Sequence, residues 1–197
     1  MTCNFAFFDF DGTLTTRDTF PLFAYFSRGR LRALWAAFVT LPWLILMKLR
    51  LYPNGKAKER LFSRLYKGMP VSVFEDFGRR FAERIDRVVN PGMMEALRDH
   101  QKNNDTVYVV TASIDQWVRP WCEANGVANV IATLPEVGAD GCLTGRFATP
   151  NCYGPEKVRR ILLMEPDIDS AVKVYGDSHG DREMLNLMRF SRQKGDN

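Results

Sequence analysis

Apolar and polar positions along this chain follow two rhythms, and their order predicts the elements. Residues 3–10 (CNFAFFDF) form a short apolar run ending in acids, as a strand buried in a parallel sheet does. From Arg17 to Gln101 the spacing turns helical. Helices are predicted over Asp18–Arg28, through the apolar stretch after it, over Lys56–Tyr66 and Val71–Val88, and over Pro91–Lys102 with proline at its start. Pro53-Asn54-Gly55, Gly68-Met69-Pro70 and Asn90-Pro91-Gly92 punctuate them. Thr106–Val110 (TVYVV), β-branched and aromatic, reads as the second strand. A helix over Ile114–Ala124 and a short strand over Val127–Ala132 follow. Glu136–Phe147, with Gly138, Asp140-Gly141 and Thr144-Gly145 between apolar residues, reads as a β-hairpin. A helix over Pro155–Met164, a strand over Ala171–Tyr175 and a helix over Asp181–Met188 complete the pattern.

Strands alternating with helices predict an α/β fold, a Rossmann-like parallel sheet with helices on both faces. The stretch of about 85 helical residues between the first two strands is too long for a simple crossover. It is expected to form an all-helical cap over residues 18–90, beyond the strand ends, with residues 1–17 and 91–197 making the core. Ligands of open α/β sheets bind at the carboxyl ends of the strands, where such a cap would enclose them.

Composition changes this picture in two places. With 197 residues and 46% hydrophobic content the chain can bury a sizeable core, and its four scattered cysteines form no C-x-x-C pair. With no secretory leader before the first strand, a reducing, cytoplasmic compartment is expected. The formal net charge of +4 is unevenly spread: residues 28–67 hold ten basic side chains against one acid, Glu59. The same stretch holds the uncharged run Ala33–Met47, with Trp35 and Trp43 and interrupted by Pro42. Fifteen residues with a proline fall short of the roughly 20 that span a bilayer. Two readings remain open: a surface touching anionic lipid, or a buried helix pair with a solvated basic face. Nucleic acid is not expected as a partner, because Trp and Leu run continuously there instead of alternating with Arg and Lys.

Candidate chemistry sits at the strand ends. Asp9-Phe10-Asp11-Gly12-Thr13 closes the first strand, and a spacing of two puts both carboxylates on one side of extended chain. Alone, such a pair is equally a metal-binding pair or a solvated turn. Thr111-Ala112-Ser113 ends the second strand and is expected to open a helix, either as an anion site of hydroxyl and amide donors or as a plain N-cap. Lys157 lies one turn into the helix after Gly154-Pro155, where an ammonium either meets a phosphate oxygen or is an ordinary surface lysine. Gly176-Asp177-Ser178-His179-Gly180-Asp181 ends the last strand with two more acids. Carboxylates without His or Cys neighbours suit Mg²⁺ better than Zn²⁺. His179 reads as a turn residue, His100 as a surface histidine at a helix end.

This set, in this order, resembles the haloacid dehalogenase superfamily of phosphohydrolases, in the branch (subfamily IB) that includes phosphoserine phosphatase. The resemblance implies a Mg²⁺-dependent phosphomonoesterase with Asp9 as nucleophile and Asp11 as general acid/base. It further implies phosphate contacts from Thr111, Ala112 and Lys157, metal ligation by Asp9, Asp177 and the Asp11 carbonyl, and Asp181 as an acid that orients Lys157 or a metal-bound water. Asp18 occupies the place where phosphoserine phosphatases use a glutamate against the substrate amine, and Ser113 either donates to substrate or caps its helix. The apolar, arginine-flanked stretch resembles the caps of the phosphatidylglycerophosphatase C-like members. The expected substrate is therefore a lipid-linked or membrane-proximal phosphate, with a soluble metabolite such as phosphoserine second. A third reading is a truncated, non-catalytic phosphate-ligand or partner-binding relative, since residues 189–197 are polar where the family continues with another strand. That would leave the Ala171–Tyr175 strand near an exposed edge.

Overall fold

The computed structural model describes residues 4–166, 168 and 172–194, with side chains described as far as residue 188. Strand β1 is Phe5–Phe8, and four apolar residues in a row are all buried because both faces of the strand are covered. Ala6 and Phe8 face one cluster of the core, and Phe5 and Phe7 the other, as the two-residue period of a strand requires. β2 (Thr106–Ile114), β3 (Asn129–Thr133) and β6 (Val172–Tyr175) complete a four-stranded parallel sheet in the order β3-β2-β1-β6. β1 is therefore central and β6 lies at an edge. Cys3 and Ala171, expected at strand ends, lie outside the described residues. The predicted hairpin is β4 (Pro135–Val137) with β5 (Leu143–Phe147), an antiparallel pair.

Between β1 and β2 run α1 (Thr19–Arg28), α2 (Arg30–Lys48), α3 (Asn54–Tyr66), α4 (Val71–Ile85), a 3₁₀ turn at Asp86–Val88 and α5 (Pro91–Lys102). The Asp18 carboxylate accepts from the Phe20 amide and so caps α1. Gly29, at φ 79°, makes the sharp corner into α2. The chain leaves and re-enters through a paired neck: Thr16 donates to the Val88 carbonyl at 2.7 Å and Asn90 to that of Leu14 at 2.8 Å. The insert has no core of its own. One cluster runs from Phe8 and Phe10 in the sheet through Phe23 and Phe74 in the insert to Trp117 of α6 (Asp115–Ala124). The backbone of α4 passes so close to α6 that a Cβ on Gly78 would stand 2.1 Å from the Gln116 carbonyl oxygen. α7 (Pro155–Met164) and α8 (Arg182–Lys194), the latter entered through a 3₁₀ turn at His179–Asp181, complete the described helices.

The apolar stretch differs from the sequence expectation. It continues through Pro42 as one 19-residue helix, about 28 Å at 1.5 Å per residue, long and apolar enough to cross a membrane by length and composition. Only its small side chains Ala33, Ala36 and Thr40 are buried, which lets α2 lie close to its neighbours. Leu31, Phe38 and Trp35 are 85%, 73% and 58% exposed. The buried-helix-pair reading thus fails for its outer face. His100 also departs from expectation: it is nearly enclosed, bridging Asp105 at 2.6 Å and the Tyr175 hydroxyl at 3.0 Å.

Candidate active site

Everything at the site hangs on the chain leaving β1. The Asp9 amide donates to the Tyr175 carbonyl at 2.8 Å, so the first residue past the strand is still tied to β6. Phe10 then turns inward to the core, and its carbonyl accepts from the Thr13 and Thr15 amides to close a tight loop. Gly12 sits at φ 83°, and a Cβ there would come within 2.8 Å of the Asp177 carboxylate. A glycine is needed on both counts, for the backbone angle and for the approach of Asp177.

Asp11 is held on both oxygens. Its Oδ1 accepts the Thr19 amide at 2.8 Å and the Thr19 hydroxyl at 2.7 Å, while its Oδ2 accepts a short hydrogen bond from the Ser113 hydroxyl. Trp117 in turn donates to the Thr19 hydroxyl at 3.1 Å. Burial raises the Asp11 carboxyl above the usual carboxylate range, helped by the charge of Asp18 and opposed by the Ser113 bond. Here the structure corrects the expectation for Thr111-Ala112-Ser113. These residues do not open a helix, because β2 continues to Ile114 and α6 begins at Asp115 with no side-chain cap. Ser113 therefore caps nothing, and it is fully buried against Asp11 and Thr19.

Lys157, in the first turn of α7, is no surface residue. It is 2% exposed, and its Nζ lies 2.6 Å from both the Asp9 and the Asp181 carboxylates. Burial works against its charge, but the two carboxylates outweigh it and hold the ammonium more firmly than in water. Asp181 is fixed from its other side by the Ser178 amide at 3.0 Å and hydroxyl at 2.5 Å. One cation shared between two carboxylates leaves Asp9 undercompensated. Burial first, then the neighbouring charges of Asp181 and Asp11, push its pKa up to about 7 against the pull of Lys157.

Asp9, Asp177 and Asp181 each place a carboxylate oxygen within 4.8 Å of the others. With three acids to one ammonium, and oxygen as the only donor type, this cluster fits a hard divalent cation. The Asp11 carboxylate is spent on Thr19 and Ser113 and stands outside the cluster. Both oxygens of Asp181 already accept from Lys157 and Ser178.

A cavity of about 770 Å³ opens over these groups, lined by Asp9, Asp11, Asp177, Lys157, Thr111 and Ala112 at one end. Asp18 lines it too. Its remaining wall is mostly apolar and comes mainly from the insert, through Phe20, Ala33, Ala37, Leu44, Met47 and Leu61, with Lys48 and Lys58 among them. So the inner face of α2 lines the cavity while its outer face meets solvent. Three contributors escaped the sequence reading. Thr19 and Ser178 sit at turns into helices, where a hydroxyl reads as a cap, and Lys58 lies among the charges of α3 with no pattern to single it out.

The profile of the haloacid dehalogenase-like hydrolases matches residues 6–186. The protein CicA of Caulobacter vibrioides is 32% identical over 190 residues, spanning 90% of this chain and 80% of that protein. A histidinol-phosphatase of Neisseria meningitidis is 27% identical over 120 residues, 57% of this chain and 54% of its own length. Among solved structures, a phosphoserine phosphatase captured as an analogue of its phospho-aspartyl intermediate shares the fold. It superposes with a TM-score of 0.63 at 19% identity, over 100% of this chain and 92% of that one.

Proposed function

Since the chain belongs to the haloacid dehalogenase-like hydrolases and is a phosphatase of that type, we propose that it cleaves a small, water-soluble phosphate monoester through Asp9. The observation that carries this is the buried Asp9–Lys157–Asp181 array at a central strand end, with Asp11 held separately beside it. Asp9 attacks phosphorus, the bond to the leaving oxygen breaks, and an aspartyl-phosphate forms. Asp11, whose carboxyl burial holds above the usual carboxylate range, is placed to protonate the departing alkoxide and then to take a proton from the attacking water. Lys157 and the Thr111 hydroxyl bind phosphate oxygens, and Asp181 positions Lys157. Mg²⁺ held by Asp9 and Asp177 would offset the repulsion between a carboxylate and a phosphate dianion.

The same reading fixes how metal binding depends on pH. Ligation needs Asp9 ionised, and its pKa is raised to about 7, so a proton must leave as the metal enters. The rise in melting temperature on adding MgCl₂ is expected to be larger at pH 8 than at pH 5.5. An equal rise at both would remove Asp9 from the ligand set.

A histidinol-phosphatase and a phosphoserine phosphatase among the similar proteins support a soluble ester ahead of the lipid-linked phosphate expected from sequence. Within that class the apolar wall favours an ester whose organic part is larger and less polar than serine. A lipid-linked phosphate is the second reading, favoured by one observation, the exposed outer face of α2 between Arg28, Arg30 and Arg32 at one end and Lys48 and Arg50 at the other. In that reading α2 lies on an anionic bilayer. It does not cross one, because it is packed along α1 and the charged α3, which hydrocarbon would not accept. Phosphate release with Mg²⁺ is to be measured across phosphoserine, histidinol phosphate, sugar phosphates and phosphatidylglycerophosphate in detergent. Turnover of a soluble ester is expected. Turnover confined to the lipid would establish the second reading instead.

A further inference from the structure

α3 brings a second lysine into the cavity, one that the reaction above leaves without a task. Lys58 Nζ donates to the Ala112 carbonyl at 2.8 Å and stands 5.3 Å from the centre of the Phe20 ring. An ammonium has three donors. Among the described residues this is its only hydrogen bond, and it enters no ion pair. The bond is also easy to give up, because the same carbonyl accepts the Thr133 hydroxyl at 2.9 Å and stays satisfied without Lys58. Burial disfavours the charge and lowers its pKa, while the nearby Asp18, Asp11 and Asp9 sustain it. A half-buried cation with unused donors, beside a cavity, is a ready partner for an anion that comes to it. Its anchor, Ala112, adjoins Thr111, so the ammonium stands where the phosphate end of the cavity meets the Phe20 side of the apolar wall.

We propose that Lys58 is a substrate-binding residue, an ammonium carried by the insert that takes an oxyanion of the incoming ester. The oxyanion is a phosphate oxygen or a carboxylate beside the ester. On binding, Lys58 keeps or releases the Ala112 carbonyl and turns its unused N–H groups to the ligand. Lys157 is shared with Asp9 and Asp181, so a single ammonium does not balance the charge an ester adds, and five acids line the site or adjoin it. The assignment rests on the phosphatase reading.

The test compares wild type, Lys58→Met and Lys58→Arg on phosphoserine and on phosphoethanolamine, which lacks the carboxylate, with inorganic phosphate as competitive inhibitor. Losing a hydrogen bond to a charged group is expected to raise KM roughly ten- to hundredfold in Lys58→Met with a smaller change in kcat, and Lys58→Arg should recover much of it. A phosphate contact weakens both esters and inorganic phosphate alike, whereas a carboxylate contact weakens phosphoserine alone. If KM and phosphate inhibition stay within about twofold of wild type while only the unfolding midpoint moves, Lys58 merely fastens α3 to the core and the proposal fails. Failure of the phosphatase reading looks different: wild type then shows no Asp9-dependent turnover of any ester. The melting-temperature rise with inorganic phosphate, retained or lost in Lys58→Met, still decides the role of Lys58 in that case.

Discussion

Asp9→Asn is expected to lower phosphate release by at least about a thousandfold while leaving the fold intact, because it removes the only oxygen nucleophile that Lys157 touches at the β1 end. The substitution keeps the side-chain volume, the Asp9 backbone bond to Tyr175 and the pairing of Lys157 with Asp181. Its effect on stability should run opposite to its effect on activity. A carboxyl whose folded pKa is raised from 3.8 to about 7 costs the folded state nothing while protonated. The cost begins above about pH 4, is complete above about pH 7, and reaches at most about 4 kcal/mol. Metal-free Asp9→Asn is therefore expected to melt higher than wild type at pH 8 and close to it at pH 4. Near-normal turnover in this variant would sink Asp9 as nucleophile, and a lower melting temperature at pH 8 would show that Lys157 more than compensates its charge.

Lys157→Met is the second large effect, and here both quantities fall. The ammonium is the one cation bonded to the enclosed Asp9 and Asp181 carboxylates, so its loss strands two charges. Breaking a buried ion pair from one side costs about 3–5 kcal/mol. The urea midpoint of metal-free protein at pH 8 should drop accordingly, and adding Asp181→Asn should restore part of it. Because Asp9 protonates below about pH 7, the drop should shrink at pH 5. A loss that does not change with pH and is not relieved by Asp181→Asn would point to packing instead of charge.

How far these groups were legible in the sequence depends on how far apart their partners lie along the chain. Strand-end acids carry their own signal: Asp9, Asp11, Asp177 and Asp181 follow apolar runs and neighbour glycines that a turn requires. Lys157 was placed by its helix start, but its burial was not, since nothing in Gly154-Pro155-Glu156-Lys157 announces two carboxylates from β1 and the last turn. Thr111–Ser113 ends a strand where the sequence suggests a helix start, and the reason is physical. Small hydroxyl residues after a β-branched run suit a cap and a strand end equally, and the choice was made by Ser113 meeting Asp11, 102 residues away. Pro42 reads as an interruption in sequence and so shortens the apolar stretch. The helix passes through it, Thr40 bonding back to the Ala36 carbonyl at 2.7 Å in the same turn. Lys58 had no local signal, for its partner is 54 residues distant and it sits in a basic helix where one lysine looks like another.

The position of β1 between β2 and β6 also bears on how the chain is assembled. Phe5 pairs with Thr106 on one side and with Val172 on the other. During synthesis the most apolar strand therefore emerges first and waits about a hundred residues for its first partner, with both edges and both faces bare. The helices α1–α5, whose bonds are local, can form in that interval and offer Phe8 and Phe10 an apolar surface before the sheet exists. The insert then serves twice in the life of the molecule, first as a shelter for the nascent strand and afterwards as the wall of the cavity that the strand's last residues open into.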